Sequence, residues 1–178
     1  MSFIRIKSIK GQKYAYRVEN EWKKRKQGSR QKVKGYLGKV HPLEQKKEHA
    51  FAEFIAKDLQ EYLKASSPKK IIADIVALEL VKHGFSQKRS SWYLDDIRIN
   101  MGTLEVLKGD APIVLQLNND FLCNHTLRKL VNFKSTSDQQ TTGTEFAKAF
   151  VQAGIPVDQE LFVHLFNTVY RRGVTRTW

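Results

Sequence analysis

A chain of 178 residues with 41% apolar content is long enough for one ample core or two small ones and is expected to be globular. Its single cysteine, Cys123, excludes an intramolecular disulfide and reads as a small core residue in a reducing cytoplasm. No apolar run reaches the roughly 18 residues of a membrane span, and the N-terminal MSFIRIKSIK lacks the apolar centre of a signal peptide. The net charge of +13 sits on one segment: residues 1–40 hold thirteen Lys or Arg against Glu19 and Glu21, a net of +11. Such a run often serves only as a solvated face, but uniform solubilisation does not require segregation.

Phe3 to Ile9 alternates apolar and basic residues, Gly11-Gln12 offers a turn, and Lys13 to Glu19 alternates again, which predicts a β-hairpin. After a charged loop around Trp22 to Ser29, Lys32 to Val40 places Val33 and Leu37 on one side and Lys32, Lys34 and Tyr36 on the other. The expectation is a three-stranded antiparallel sheet with one basic face. Pro42 closes it and opens a helix over about Leu43 to Ala65, whose apolar stripe (Phe51, Phe54, Leu59, Tyr62, Leu63) would cover the uncharged face of the sheet.

Ser66-Ser67-Pro68 breaks the pattern and is the best domain boundary, dividing a basic unit over 1–67 from a unit over 68–178. A buried helix over Lys69 to Lys82 follows, capped by Gly84. Four strand-like runs come next, Ser91 to Leu94, Ile97 to Asn100, Leu104 to Leu107 and Ile113 to Leu117, short and close enough to pair as a meander. Asn118-Asn119-Asp120 supplies candidate caps for a helix over Phe121 to Phe133. Residues 134–143, rich in Ser, Thr and Gln, predict a flexible linker, and helices over Thr144 to Ala153 and Asp158 to Arg172 predict a closing helical hairpin. The fold class is α+β: a sheet plus helix, an α-β(3–4)-α module, and the hairpin.

Lys13-Tyr14-Ala15-Tyr16-Arg17-Val18-Glu19-Asn20 and Arg30-Gln31-Lys32-Val33-Lys34-Gly35-Tyr36-Leu37-Gly38-Lys39-Val40 together resemble the N-terminal segment of insertion-sequence transposases of the DDE type, and of small archaeal proteins that begin the same way. The likeness covers residues 1–40 and argues for duplex DNA as the partner. It does not imply transposition, because the remaining chain has no room for an RNase-H-like catalytic domain. The α-β-β-β-α order of residues 71–133, with Leu80-Val81-Lys82-His83-Gly84-Phe85 before the strands, is similar to the double-stranded-RNA-binding fold of HicA-type toxins. Ser90-Ser91-Trp92 stands where those toxins carry their catalytic histidine, so only the topology carries over.

No phosphate-cradling G-x-x-x-x-G-K-[ST] or G-x-G-x-x-G loop occurs, and Gly35-Tyr36-Leu37-Gly38 reads as a turn at a strand end. His41, His49, His83, His125 and His164 lack the paired spacings of a zinc site. Asp95, Asp96, Glu105 and Asp120 are the carboxylates from which a metal-dependent nuclease would be built, although turn aspartates are usually structural. The sequence therefore predicts no catalytic residue, metal or cofactor.

The expected contact set is Arg5, Lys7, Lys10, Lys13, Arg17, Lys23, Lys24, Arg25, Lys26, Arg30, Lys32, Lys34, Tyr36 and Lys39. Tyr36 has two readings: a base-stacking platform among lysines, or a ring packed beneath the following helix. The expected function is non-enzymatic nucleic-acid binding in the cytoplasm. Structured RNA, with association to a ribosome or other ribonucleoprotein, stands ahead of duplex DNA and of a nuclease, and residues 71–178 are left as a scaffold or protein-interaction surface.

Overall fold

The computed structural model describes residues 2–23, 28–136 and 138–174. Strand β1 (Ser2–Ile9) and strand β2 (Gln12–Lys23) are joined through Lys10 and Gly11, both at positive φ (50° and 75°), so the two-residue turn lies one position earlier than Gly11-Gln12. Strand β3 (Gly28–Pro42) returns antiparallel to β2 and completes the expected N-terminal sheet.

The end of β3 does more than close that sheet. Lys39 to Pro42 pair in parallel with Ile113 to Gln116 of strand β8 (Ala111–Leu117), so the sheets on either side of residues 66–68 run together. Gly38 makes the approach possible. It sits at φ +141°, and a Cβ there would lie 2.5 Å from the Pro112 carbonyl oxygen and 2.7 Å from the Ile113 Cα. Only glycine accepts both that conformation and that proximity.

The single helix expected over Leu43 to Ala65 is replaced by an extended passage and two short helices, α1 (Phe51–Ile55) and α2 (Leu59–Ala65). The Lys46 and Lys47 amides donate to the Lys82 carbonyl, Ala56 turns left-handed at φ 50°, and the Asp58 carboxylate accepts from the Glu61 amide at 2.9 Å to start a new helix. Phe51 and Tyr62 meet edge to face at 5.9 Å. They join the main core beside helix α3 (Pro68–Lys82) and do not cover the N-terminal sheet.

Ser67 caps α3 and Pro68 occupies its first turn. At the other end the Gly84 amide donates to the Val81 carbonyl and the Phe85 amide to that of Leu80, with Gly84 at φ +91°, a Schellman closure one residue past the His83 cap. The meander follows as β4 (Ser86–Lys88), β5 (Ser91–Leu94), β6 (Ile97–Asn100), β7 (Glu105–Lys108) and β8, each antiparallel to the last. Strand β4 escaped the sequence reading because Ser86, Gln87 and Lys88 are all exposed and carry no apolar alternation.

Asn118 and Asn119 are not helix caps: at φ 48° and 69° they turn β8 into a further strand, β9 (Asp120–Leu122), paired antiparallel to it. Cys123 is the N-cap of helix α4 (Asn124–Val131) and its amide donates to Thr126 Oγ1, so the helix starts three residues later than Phe121. The expected linker is also shortened. Asp138 accepts from the Thr141 amide, helix α5 (Gln139–Gln152) begins inside 134–143, and Thr142 is fully buried. Helix α6 (Gln159–Val174) packs against α5 with Phe146 and Phe162 stacked at 5.5 Å, the expected hairpin.

The chain is thus α+β, with the sheet order β1-β2-β3-β8-β7-β6-β5-β4 and β9 on β8. Its larger core joins α1 to α6 with the meander, while a second, small cluster of Ala15, Val40, Val114 and Cys123 lies beneath the N-terminal sheet, flanked by Ile4, Ile6, Leu37 and Phe121. That small cluster leaves the opposite face of the sheet uncovered.

Candidate nucleic-acid interface

The pairing register builds two short rows across the uncovered face. Arg5 of β1 lies opposite Tyr16 of β2, which lies opposite Tyr36 of β3; one step along, Lys7, Tyr14 and Lys39 align in the same way. Directly opposed residues share a face, so cations and tyrosines are interleaved on one surface. The Tyr36 ring lies 5.4 Å from that of Tyr16 and 6.4 Å from that of Tyr14, and Lys7 Nζ stands 4.9 Å from the Tyr16 ring. Arg5 spans the patch by donating from Nη1 to Gln31 Oε1.

Tyr36 is 53% exposed, which decides between its two readings in favour of a ring at the surface and against one packed under a helix. Partial desolvation, then the neighbouring Tyr14 and Tyr16, push its hydroxyl above the ordinary phenol range, so it remains a neutral donor at physiological pH. Among the described residues no carboxylate pairs with Arg5, Lys7 or Lys39. Trp22, 67% exposed, stands further along β2 opposite Ser29.

Lys32 and Lys34 do not share the face of Tyr36. Register shifts between Ala15 and Tyr16 and between Arg17 and Val18 leave Leu37 and Lys34 as extra residues on β3, and each extra residue reverses the alternation. Lys32 therefore opposes Glu19, while Lys34 Nζ sits 3.1 Å from Glu19 Oε2 and 3.2 Å from Glu21 Oε1. The Lys34 hydrogen bond is the largest of the effects that hold Glu21 below the usual carboxylate range, and Glu19 followed by Glu21 raises Lys34. These two lysines are locally neutralised.

Of the remaining expected contacts, Lys10 lies in the β1–β2 turn, Lys13 and Arg30 are exposed on the Glu19 and Glu21 side, and Arg17 points the same way toward α4. Lys23 pairs with Gly28 in the ladder. Lys24, Arg25 and Lys26 lie outside the described residues. The expected single basic face is therefore divided, with Arg5, Lys7 and Lys39 on the tyrosine side. Tyr14 and Tyr16, which the sequence interleaves with the basic residues but which lay outside the expected contact set, belong to the patch. Strand alternation already placed them in phase with each other, but their meeting with Tyr36 depends on the bulge.

The candidate carboxylates stay apart. Asp95 is a left-handed turn residue, Asp96 pairs with Lys108 at 3.1 Å, Glu105 accepts from Thr103 Oγ1 at 2.7 Å, and Asp120 on β9 is pushed up by burial alone. Among the described residues no three His, Cys, Asp or Glu side chains gather as metal ligands would. His83 is buried against Glu79, and His41 and His125 are held below the usual imidazole range, by burial first and by nearby cations second. Gly35 and Gly38 lie within β3 on either side of Tyr36 and the bulged Leu37, so the expected turn is part of the strand and the G-x-x-G spacing forms no clamp loop. No described helix is long and apolar enough to cross a membrane. Compared with known proteins, the chain matches no family model, no curated protein and no solved structure.

Proposed function

We propose that this protein binds nucleic acid without catalysis, gripping the phosphate backbone with the basic N-terminal sheet and stacking bases on its tyrosines. The observation that carries this reading is the paired arrangement Arg5–Tyr16–Tyr36 and Lys7–Tyr14–Lys39 on one uncovered sheet face. Amines and a guanidinium without acidic partners supply the phosphate contacts, and rings 5.4 to 6.4 Å apart offer successive surfaces to unstacked bases. Bases are splayed in this way in RNA loops and ends, so looped or single-stranded RNA in a cytoplasmic ribonucleoprotein is the favoured substrate over duplex DNA.

A salt titration of binding to a looped RNA, a single-stranded DNA and a duplex tests the proposal. Affinity falls steeply with salt, Lys7→Gln and Lys39→Gln each reduce the log–log slope by about 1, and Lys32→Gln and Lys34→Gln, whose amines already face carboxylates, change it less. A flat salt dependence overturns the reading. Preference for the duplex over the looped RNA replaces base stacking with duplex binding.

A further inference from the structure

Beside the face of the sheet that carries Arg17, a cleft of about 360 Å³ opens between β2, β3 and the start of α4. Arg17 stands on one wall and His125 and Arg128, three residues apart on the helix, stand on the other, with Gly35, Tyr36 and Leu37 between them. None of the lining residues is acidic, and among the described residues neither guanidinium has a carboxylate partner.

Two unpaired arginines converging on one concavity repel each other. Water screens that repulsion, since Arg128 is exposed and Arg17 only partly buried, and the pair becomes a favourable site once a dianion with several acceptor oxygens lies between them, because guanidinium forks match phosphate oxygens two at a time. His125 shows the same field: after burial, Arg17 and Lys129 keep its imidazole below the ordinary range. Gly35 opposes Arg17 in the ladder, and a Cβ built there meets nothing within 4 Å, so the space beside Arg17 is open. The volume exceeds that of a bare phosphate and accommodates an attached sugar.

We propose that this cleft binds a phosphate monoester, with Arg17 and Arg128 holding the phosphate and His125 donating to it. Two sources share that chemistry: a free mononucleotide-sized metabolite, and the terminal phosphate of an oligonucleotide. Tyr36 lines the cleft as well as the tyrosine face, but Arg17, His125 and Arg128 take no part in the tyrosine rows, so either site can fail without the other.

The test follows the His125 ring signals by NMR through pH titrations in chloride buffer, in inorganic phosphate and in adenosine 5′-monophosphate at matched ionic strength. The expected result is an upward displacement of the His125 titration with both phosphates and none with chloride alone. Arg17→Gln and Arg128→Gln each weaken the effect at least tenfold. Gly35→Glu, which sets a carboxylate beside Arg17 in open space, abolishes it, while Lys64→Gln, which removes one exposed charge on α2 away from the cleft, leaves it unchanged. A 5′-phosphorylated oligoribonucleotide that displaces the His125 titration more strongly than its 5′-hydroxyl counterpart and than the mononucleotide identifies the nucleic-acid source; the reverse order identifies the metabolite. Equal effects of chloride and phosphate, or persistence of the effect in Gly35→Glu, overturn the proposal.

Discussion

Tyr36 illustrates how much a single register step decides. Because it is 53% exposed and touches the rings of Tyr14 and Tyr16, removing it uncovers little core. Tyr36→Ala is expected to leave the melting temperature almost unchanged while costing roughly 1–3 kcal/mol of affinity for looped or single-stranded RNA. Thermal melting run beside a binding titration checks both parts; a large fall in melting temperature with unaltered affinity contradicts the surface role. Asn118 is the converse case. Its amide donates to Glu79 Oε1 at 2.6 Å and to the Gly154 carbonyl at 3.0 Å, and Glu79 is only 2% exposed. Asn118→Gly keeps the positive φ but removes the donor from a buried carboxylate, so chemical denaturation should show a loss of roughly 1.5–3 kcal/mol. A loss below about 0.5 kcal/mol would mean that water replaces the amide without penalty.

At the scale of elements, the junction of β3 with β8 carries the strictest requirement. Gly38→Ala places a methyl group against the Pro112 carbonyl and forces an unfavourable φ, with an expected cost on the order of 2–4 kcal/mol from strain and overpacking. Oligonucleotide binding at temperatures where the variant remains folded should persist, since of the two rows only Lys39 lies in the junction while Arg5, Lys7 and the three tyrosines lie outside it. Urea denaturation checks the first statement and a low-temperature titration the second. The bulges in β3 act on the same strand with a different result: they turn Lys34 toward Glu19 and Glu21 and bring Tyr36 beside Tyr16. A strand that read as one uninterrupted alternation therefore presents two chemistries on two faces.

For the whole molecule, acid should act through histidine before it acts through the carboxylates. His41 and His125 are both lowered from 6.5 in the folded state, chiefly by burial. As pH falls below about 6.5 the unfolded chain takes up protons that the folded chain resists, so their contribution is fully present above that value and is lost on the way down. Both rings are only partly buried, which limits the effect. Melting temperature in phosphate-free buffer should decline between pH 7.5 and pH 5, and the double variant His41→Gln, His125→Gln should flatten the decline. An unchanged slope in that variant would place the pH dependence elsewhere.

The hairpin of β1 and β2, the buried run of α3, the meander and the α5–α6 hairpin were legible because each depends on a repeat of 2 or 3.6 residues within one segment. The concentration of charge in residues 1–40 was equally plain from the sequence. Other features come from contacts between distant residues: the two short helices in place of one, the Asn118-Asn119 turn, the parallel pairing of β3 with β8, and the division of the basic residues between two faces. A local pattern states that side chains alternate but not where a bulge reverses them, and a one-residue shift exchanges every side chain between faces. Composition therefore determined that this chain carries a basic sheet, while strand pairing decided which cations stand beside the tyrosines and which meet acids or line the cleft at α4.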